Sequence, residues 1–81
     1  MGYHKKKISK GKLGEFAKIK EEFEELTDAV EQNNPILQLC ELADLVGAIE
    51  LYSLNKWNID LNEIIEMKEL TRKAFEDGSR K

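Results

Sequence analysis

Apolar residues recur at Phe16, Ile19, Phe23, Leu26 and Val30. This 3-4-3-4 spacing is one stripe of an amphipathic helix. It predicts a first helix over about residues 13–32, ended by Asn33-Asn34-Pro35. Asn34 is suited to cap the next helix, and Pro35 fits a first helical position, where no amide donor is needed. A second helix is predicted over about residues 35–55. Between Ile36 and Leu54 its residues outside the hydrophobic set are Gln38, Glu41, Asp44, Gly47, Glu50 and Ser53, one in every three. A step of three slips back by about 60° per repeat, so these positions spiral and form no single wet face. The pattern predicts a central helix that is apolar nearly all round. After a connector at Asn55-Lys56-Trp57-Asn58, Asp60 and Glu63 have capping-box spacing. They open a third helix over about residues 61–76, with Gly78 placed to end it. Gly11 and Gly14 interrupt the start of the chain, so residues 1–12 read as an arm and 13–81 as a single all-α domain.

The chain has 81 residues. A domain this small buries roughly 60% of its unfolded surface and is marginal alone. One cysteine, Cys40, excludes an intrachain disulfide, and the Cys/His content excludes a structural zinc site. Oligomerisation is the expected source of further burial, as a dimer or a tetramer of dimers completing a helical bundle. No run reaches the ~20 apolar residues of a membrane span. The lysines at the start precede no apolar signal segment. A small cytoplasmic protein is expected, with no membrane partner.

Charge is unevenly distributed. Residues 1–20 hold seven lysines against Glu15, residues 21–66 hold twelve acids against Lys56, and residues 67–81 hold five bases and three acids. The acidic centre would repel phosphates, and few aromatics interleave the basic run, so no nucleic-acid partner is expected. Glu22 and Glu25 lie one turn apart, as do Glu41 and Asp44. Measured from the apolar stripe, Glu22 falls about 80° away, at the seam edge, and Glu21 about 180° away, in solvent. Glu24 and Asp28 also read as solvated. Glu41 and Asp44 have apolar neighbours, where an unpaired carboxylate costs several kcal/mol or keeps its proton. Carboxylates facing one another across two helices repel unless a cation lies between them, and hard oxygen donors suit Mg²⁺ or Mn²⁺.

Glu21-Glu22-Phe23-Glu24-Glu25-Leu26, followed by Glu41-Leu42-Ala43-Asp44-Leu45, resembles the paired E-x-x-E and E-x-x-D motifs of the MazG-like all-α nucleoside triphosphate pyrophosphohydrolases. That superfamily includes the dimeric dUTPases and phosphoribosyl-ATP pyrophosphohydrolase. The resemblance implies Mg²⁺-dependent hydrolysis of a nucleoside triphosphate to monophosphate and pyrophosphate. It implies Glu22, Glu25, Glu41 and Asp44 as metal ligands, with Glu21 or Glu22 orienting or deprotonating the attacking water. The stretch from Met67 to Phe75 resembles the basic third-helix segment of these enzymes, which makes Lys68 and Arg72 the expected phosphate contacts. The alternative is a non-catalytic nucleotide- or protein-binding regulator of the same fold. Tyr3 or His4 could stack on a base or lie idle, and Trp57 could stack on a base or cap a small core. Cys40 reads as a core residue, and Gly47 as a close helix crossing.

Overall fold

A computed structural model describes residues 4–78. It holds three helices, α1 (Phe16–Glu31), α2 (Pro35–Trp57) and α3 (Leu61–Glu76), with no strand among the described residues. The all-α expectation holds. α1 starts one turn later than its apolar pattern suggested, because Gly14 takes a left-handed conformation at φ +88°. α2 runs through Trp57, taking up most of the expected connector, and stops at its last residue, Asn58, also left-handed at φ 56°. The Asn58 and Ile59 amides donate to the Leu54 and Ser53 carbonyls, which closes the helix end.

Both predicted caps are present. Asn34 Oδ1 accepts from the Leu37 amide at 3.0 Å, and Pro35 occupies the first turn. Asp60 Oδ1 accepts from the Glu63 amide at 2.9 Å, and Glu63 Oε1 accepts from the Asp60 amide at 3.3 Å. Tertiary structure is less conventional. α1 and α2 form an antiparallel hairpin across a tight turn at 32–34. Its far end is closed by Asn55 Nδ2 donating to the Gly14 carbonyl and by the Phe16 and Tyr52 rings, 6.0 Å apart. Trp57 meets Tyr52 edge to face at 5.5 Å and is otherwise exposed. α3 packs at most marginally on α1 and α2 and buries none of its residues.

The apolar stripe of α1 is only partly covered by α2: Ile19 and Leu26 are half-buried and Phe16 reaches Tyr52. Phe16, Phe23 and Val30 are more than half exposed, at 57%, 59% and 51%. The face turned inward carries Lys18, Glu21, Glu22, Glu25, Asp28, Ala29 and Gln32, also spaced by threes and fours and about 130° round the helix. α2 is not enclosed either: Ile36, Leu39, Leu42 and Val46 are exposed. Cys40 is exposed, contrary to its core reading. Gly47 crosses no helix closely, since a Cβ there would meet nothing within 4 Å. The buried apolar residues are Ala29, Leu37 and Ala48. A compact chain of this length has a radius of gyration of about 12 Å. Here it is 14.8 Å.

The arm lies along the hairpin. A Cβ on Gly11 would stand 2.4 Å from the Ala17 carbonyl group and 2.5 Å from the Lys18 nitrogen. These are backbone atoms that cannot turn aside. Gly11→Ala is therefore expected to dislodge the arm and cost about 1–3 kcal/mol, as overpacking does. Chemical denaturation measures this, and an unchanged midpoint would show that the arm is not clamped at Gly11.

Candidate metal and carboxylate site

The inward face of α1 meets α2 at Glu41 and Asp44. Three trios of donors each lie within 4.8 Å of one another: Glu21, Glu22 and Glu25; Glu22, Glu41 and Asp44; and His4, Glu25 and Glu41. Four expected ligands, Glu22, Glu25, Glu41 and Asp44, are thus brought together. Glu22 and Glu41 are buried, Glu25 is half-buried, and Asp44 is exposed at the rim.

Glu21 is not in solvent: it is 3% exposed. The arm covers it, and the Gly11 amide donates to its Oε1 at 2.7 Å while Lys18 Nζ donates to its Oε2 at 3.2 Å. Asp28, also read as solvated, is 2% exposed. It accepts from His4 Nδ1 at 2.8 Å, the Lys5 amide at 3.1 Å and Gln32 Nε2 at 2.8 Å. Sequence reasoning missed both half-buried basic groups, Lys18 and His4. Lys18 lies 2.9 Å from Glu22 Oε2, and its spacing of three and four residues from Glu21 and Glu22 was readable. His4 comes from the arm, and no local pattern announces it. It neither stacks nor lies idle: its Nε2 is 2.9 Å from Glu41 Oε2 and 3.5 Å from Glu25 Oε1. Tyr3 lies outside the described residues.

The electrostatics follow from crowding. Burial opposes ionisation of Glu25, and a hydrogen bond with Glu21 and the charges of Glu22 and Glu41 add to it, so its pKa rises from 4.5 to about 7. Burial also opposes ionisation of Glu21, but the Gly11 amide, the bond with Glu25 and Lys18 outweigh it and lower its pKa. Glu25 is therefore the partner that carries their shared proton. Burial disfavours a charged His4, yet the bonds to Asp28 and Glu41 and the charges of Glu41 and Glu25 prevail and raise its pKa.

Charge neutralisation is incomplete. Glu21, Glu22, Glu25, Asp28, Glu41 and Asp44 face Lys18 and His4, with Lys10 Nζ at 3.7 Å from Glu21 and 85% exposed. Glu22 Oε1 and Glu41 Oε1 are buried without a hydrogen-bond partner. Both belong to the trio completed by Asp44. Orphaned anionic oxygens in a hard-oxygen donor set are what a divalent cation satisfies, so these residues fit one. A cavity of about 510 Å³ adjoins Glu41 and Asp44, and one of about 360 Å³ adjoins Glu22 and Asp44, lined also by Lys18 and Gly47. The missing Gly47 side chain leaves the smaller one open. Lys68 and Arg72 are not brought to this site within the chain. Both are exposed on α3, where Lys68 pairs with Glu69 and Arg72 Nε donates to Glu76 at 3.0 Å.

The profile of the phosphoribosyl-ATP pyrophosphohydrolase family, PRA-PH, matches residues 2–73, most of the chain and the described arm included. No curated protein and no solved structure gives a significant match. No described helix is long and apolar enough to cross a membrane.

Without metal, stability should fall as pH rises from about 5 to 7.5. Glu25 binds a proton in the folded chain up to about 7 but in the unfolded chain only up to about 4.5. The folded state therefore holds more protons across that window, and raising the pH favours unfolding. His4, raised above 6.5, acts in the same direction at the upper end. Glu21 and Asp28, both lowered, contribute stability that disappears only at more acid pH. Melting in EDTA across this range is the measurement. A melting temperature that is flat or rises towards pH 7.5 would exclude the retained proton.

Proposed function

The chain belongs to the phosphoribosyl-ATP pyrophosphohydrolase family, a family of pyrophosphohydrolases, and from that membership we propose that it hydrolyses a nucleoside triphosphate to the monophosphate and pyrophosphate. Phosphoribosyl-ATP, named by the family, is itself a substituted nucleoside triphosphate and belongs on the substrate panel. The observation that carries the reading is the pair of orphaned oxygens on Glu22 and Glu41, two residues that group with Asp44 and each line an open cavity with it.

Glu22, Glu25, Glu41 and Asp44 would hold Mg²⁺, or Mn²⁺ in its place. Bound there, the ion would neutralise triphosphate charge, polarise the α-phosphorus and acidify water. Lys18 holds Glu22 by one oxygen and leaves the other free towards the site. Glu22 is accordingly the proposed group that orients water and takes its proton. Glu21, with both oxygens engaged, anchors the arm. The water oxygen bonds to the α-phosphorus as its bond to the bridging oxygen breaks and pyrophosphate leaves. Lys68 and Arg72 are proposed phosphate contacts that reach a nucleotide once α3 is packed in an oligomer. Phe23, Ile36, Leu39 and Leu42, exposed in the single chain, supply the apolar faces for a homodimer or a tetramer of dimers. The proposed setting is the cytoplasm.

Two outcomes are expected. With Mg²⁺, a nucleotide panel should release pyrophosphate, and Glu41→Gln or Asp44→Asn should lower turnover by orders of magnitude, since each deprives the ion of a ligand. In the metal-free chain Asp44→Asn should leave the fold as stable or more so by relieving repulsion, whereas Glu41→Gln also weakens the pair with His4. Full turnover in either variant would defeat the ligand assignment. Sedimentation at micromolar concentration should give a dimer or tetramer. A stable, folded monomer would refute the proposed assembly.

A further inference from the structure

We infer that His4 is a nitrogen ligand for a divalent metal, making the arm side of the site a mixed imidazole–carboxylate position that favours first-row transition ions over Mg²⁺. The inference deepens the metal-dependent reading above and rests on it.

Asp28 fixes the imidazole. It takes three donors, from His4 Nδ1, the Lys5 amide and Gln32 Nε2, and these hold it as an anion. Nδ1 is therefore the protonated ring nitrogen towards Asp28. Nε2 points the other way, into the oxygens of Glu41 at 2.9 Å and Glu25 at 3.5 Å. A neutral imidazole with Nδ1 protonated presents a lone pair there, facing the Glu41 carboxylate at hydrogen-bond distance with the Glu25 carboxyl group beyond it. Such an arrangement needs a positive centre between them: a proton or a metal. A carboxylate orienting one ring nitrogen so that the other can ligate is a recurrent support for metal-bound histidine.

The distances suit a metal. Two donors at right angles around an ion with bonds of about 2.1 Å stand about 3.0 Å apart, close to the Nε2–Glu41 separation. A proton on Nε2 would satisfy Glu41 Oε2 alone. It leaves Glu41 Oε1 without a partner, although Glu41 is only 5% exposed. An ion at this position has a nitrogen on the arm side and oxygens from both helices. Mg²⁺ prefers oxygen and water, whereas imidazole suits later divalent ions.

The chain contains one histidine, so any imidazole signal from the untagged protein is His4. Pulsed EPR of the Mn²⁺-loaded protein should show ¹⁴N modulation that converts to the ¹⁵N pattern after histidine-specific labelling. His4→Ala should remove it, weaken Mn²⁺ binding about 10- to 100-fold and change Mg²⁺ binding by less than about threefold, on the scale seen when a ligand's support is lost. The spectrum of the unmutated protein tests the claim even where the variant folds poorly. Mn²⁺ bound with no nitrogen coupling would overturn this inference, because the ion would have displaced the arm, and would leave the carboxylate reading standing. No Mn²⁺ or Mg²⁺ binding at all would overturn both.

Discussion

Carboxylates leave water at a cost of several kcal/mol each unless other groups replace the lost solvent. In this chain they line the seam between two helices, and most of the surrounding architecture supplies donors to them. The Gly11 amide and Lys18 satisfy Glu21, Lys18 reaches Glu22, and His4, Lys5 and Gln32 converge on Asp28. Gly11 is glycine because the arm must lie against the backbone of α1 to deliver its amide. Ala29 and Ala48, small and almost fully covered, let the two helices close around the acids. What remains unsatisfied is one oxygen each on Glu22 and Glu41, residues that line open volume on either side of Asp44.

The same constraint displaces the apolar residues. A hairpin that gives much of its inner face to charged groups buries Leu37 but leaves many of its large apolar side chains outside. Phe16, Phe23 and Val30 on α1 and Ile36, Leu39 and Leu42 on α2 are therefore exposed in the single chain. The chain reverses the usual division of a small domain, in which apolar stripes meet inside and charges face water. α3, joined through a left-handed Asn58 and capped by Asp60, adds a further helix with no buried residue.

The three helices were legible because their signals are local. The Asn34-Pro35 start, the Asp60/Glu63 capping box and the 3-4-3-4 apolar spacing act within one or two turns. The paired E-x-x-E and E-x-x-D motifs were legible for the same reason, and they indicated the family. The orientation of α1 was not. Its apolar stripe was assigned to the seam because hydrophobicity identifies a face that wants to be covered, without saying by which chain. The stripe through Lys18, Glu22, Glu25 and Gln32 has the same period, but a measure of hydrophobicity passes over it. Glu21 and Asp28 were put in solvent because the arm, which supplies Gly11 to one and His4 and Lys5 to the other, has no local signal that places it. His4 was beyond local reading: its partners lie 24 and 37 residues away, and only the path of the arm joins them.

The three-residue turn at 32–34 has a kinetic consequence. It joins two helices whose contacts are mostly near in sequence, the topology that folds fastest. The α1–α2 hairpin can therefore close outward from that turn, whereas His4 reaches Asp28 and Glu41 together only once α1 and α2 stand side by side. Until the arm docks, Glu21 and Asp28 retain water. Their final dehydration then belongs to the late side of the folding barrier. Interactions made after the barrier act on the rate of escape from the native state and little on the rate of reaching it. In this chain the arm would thus govern how long the folded state lasts, and the hairpin how quickly it forms.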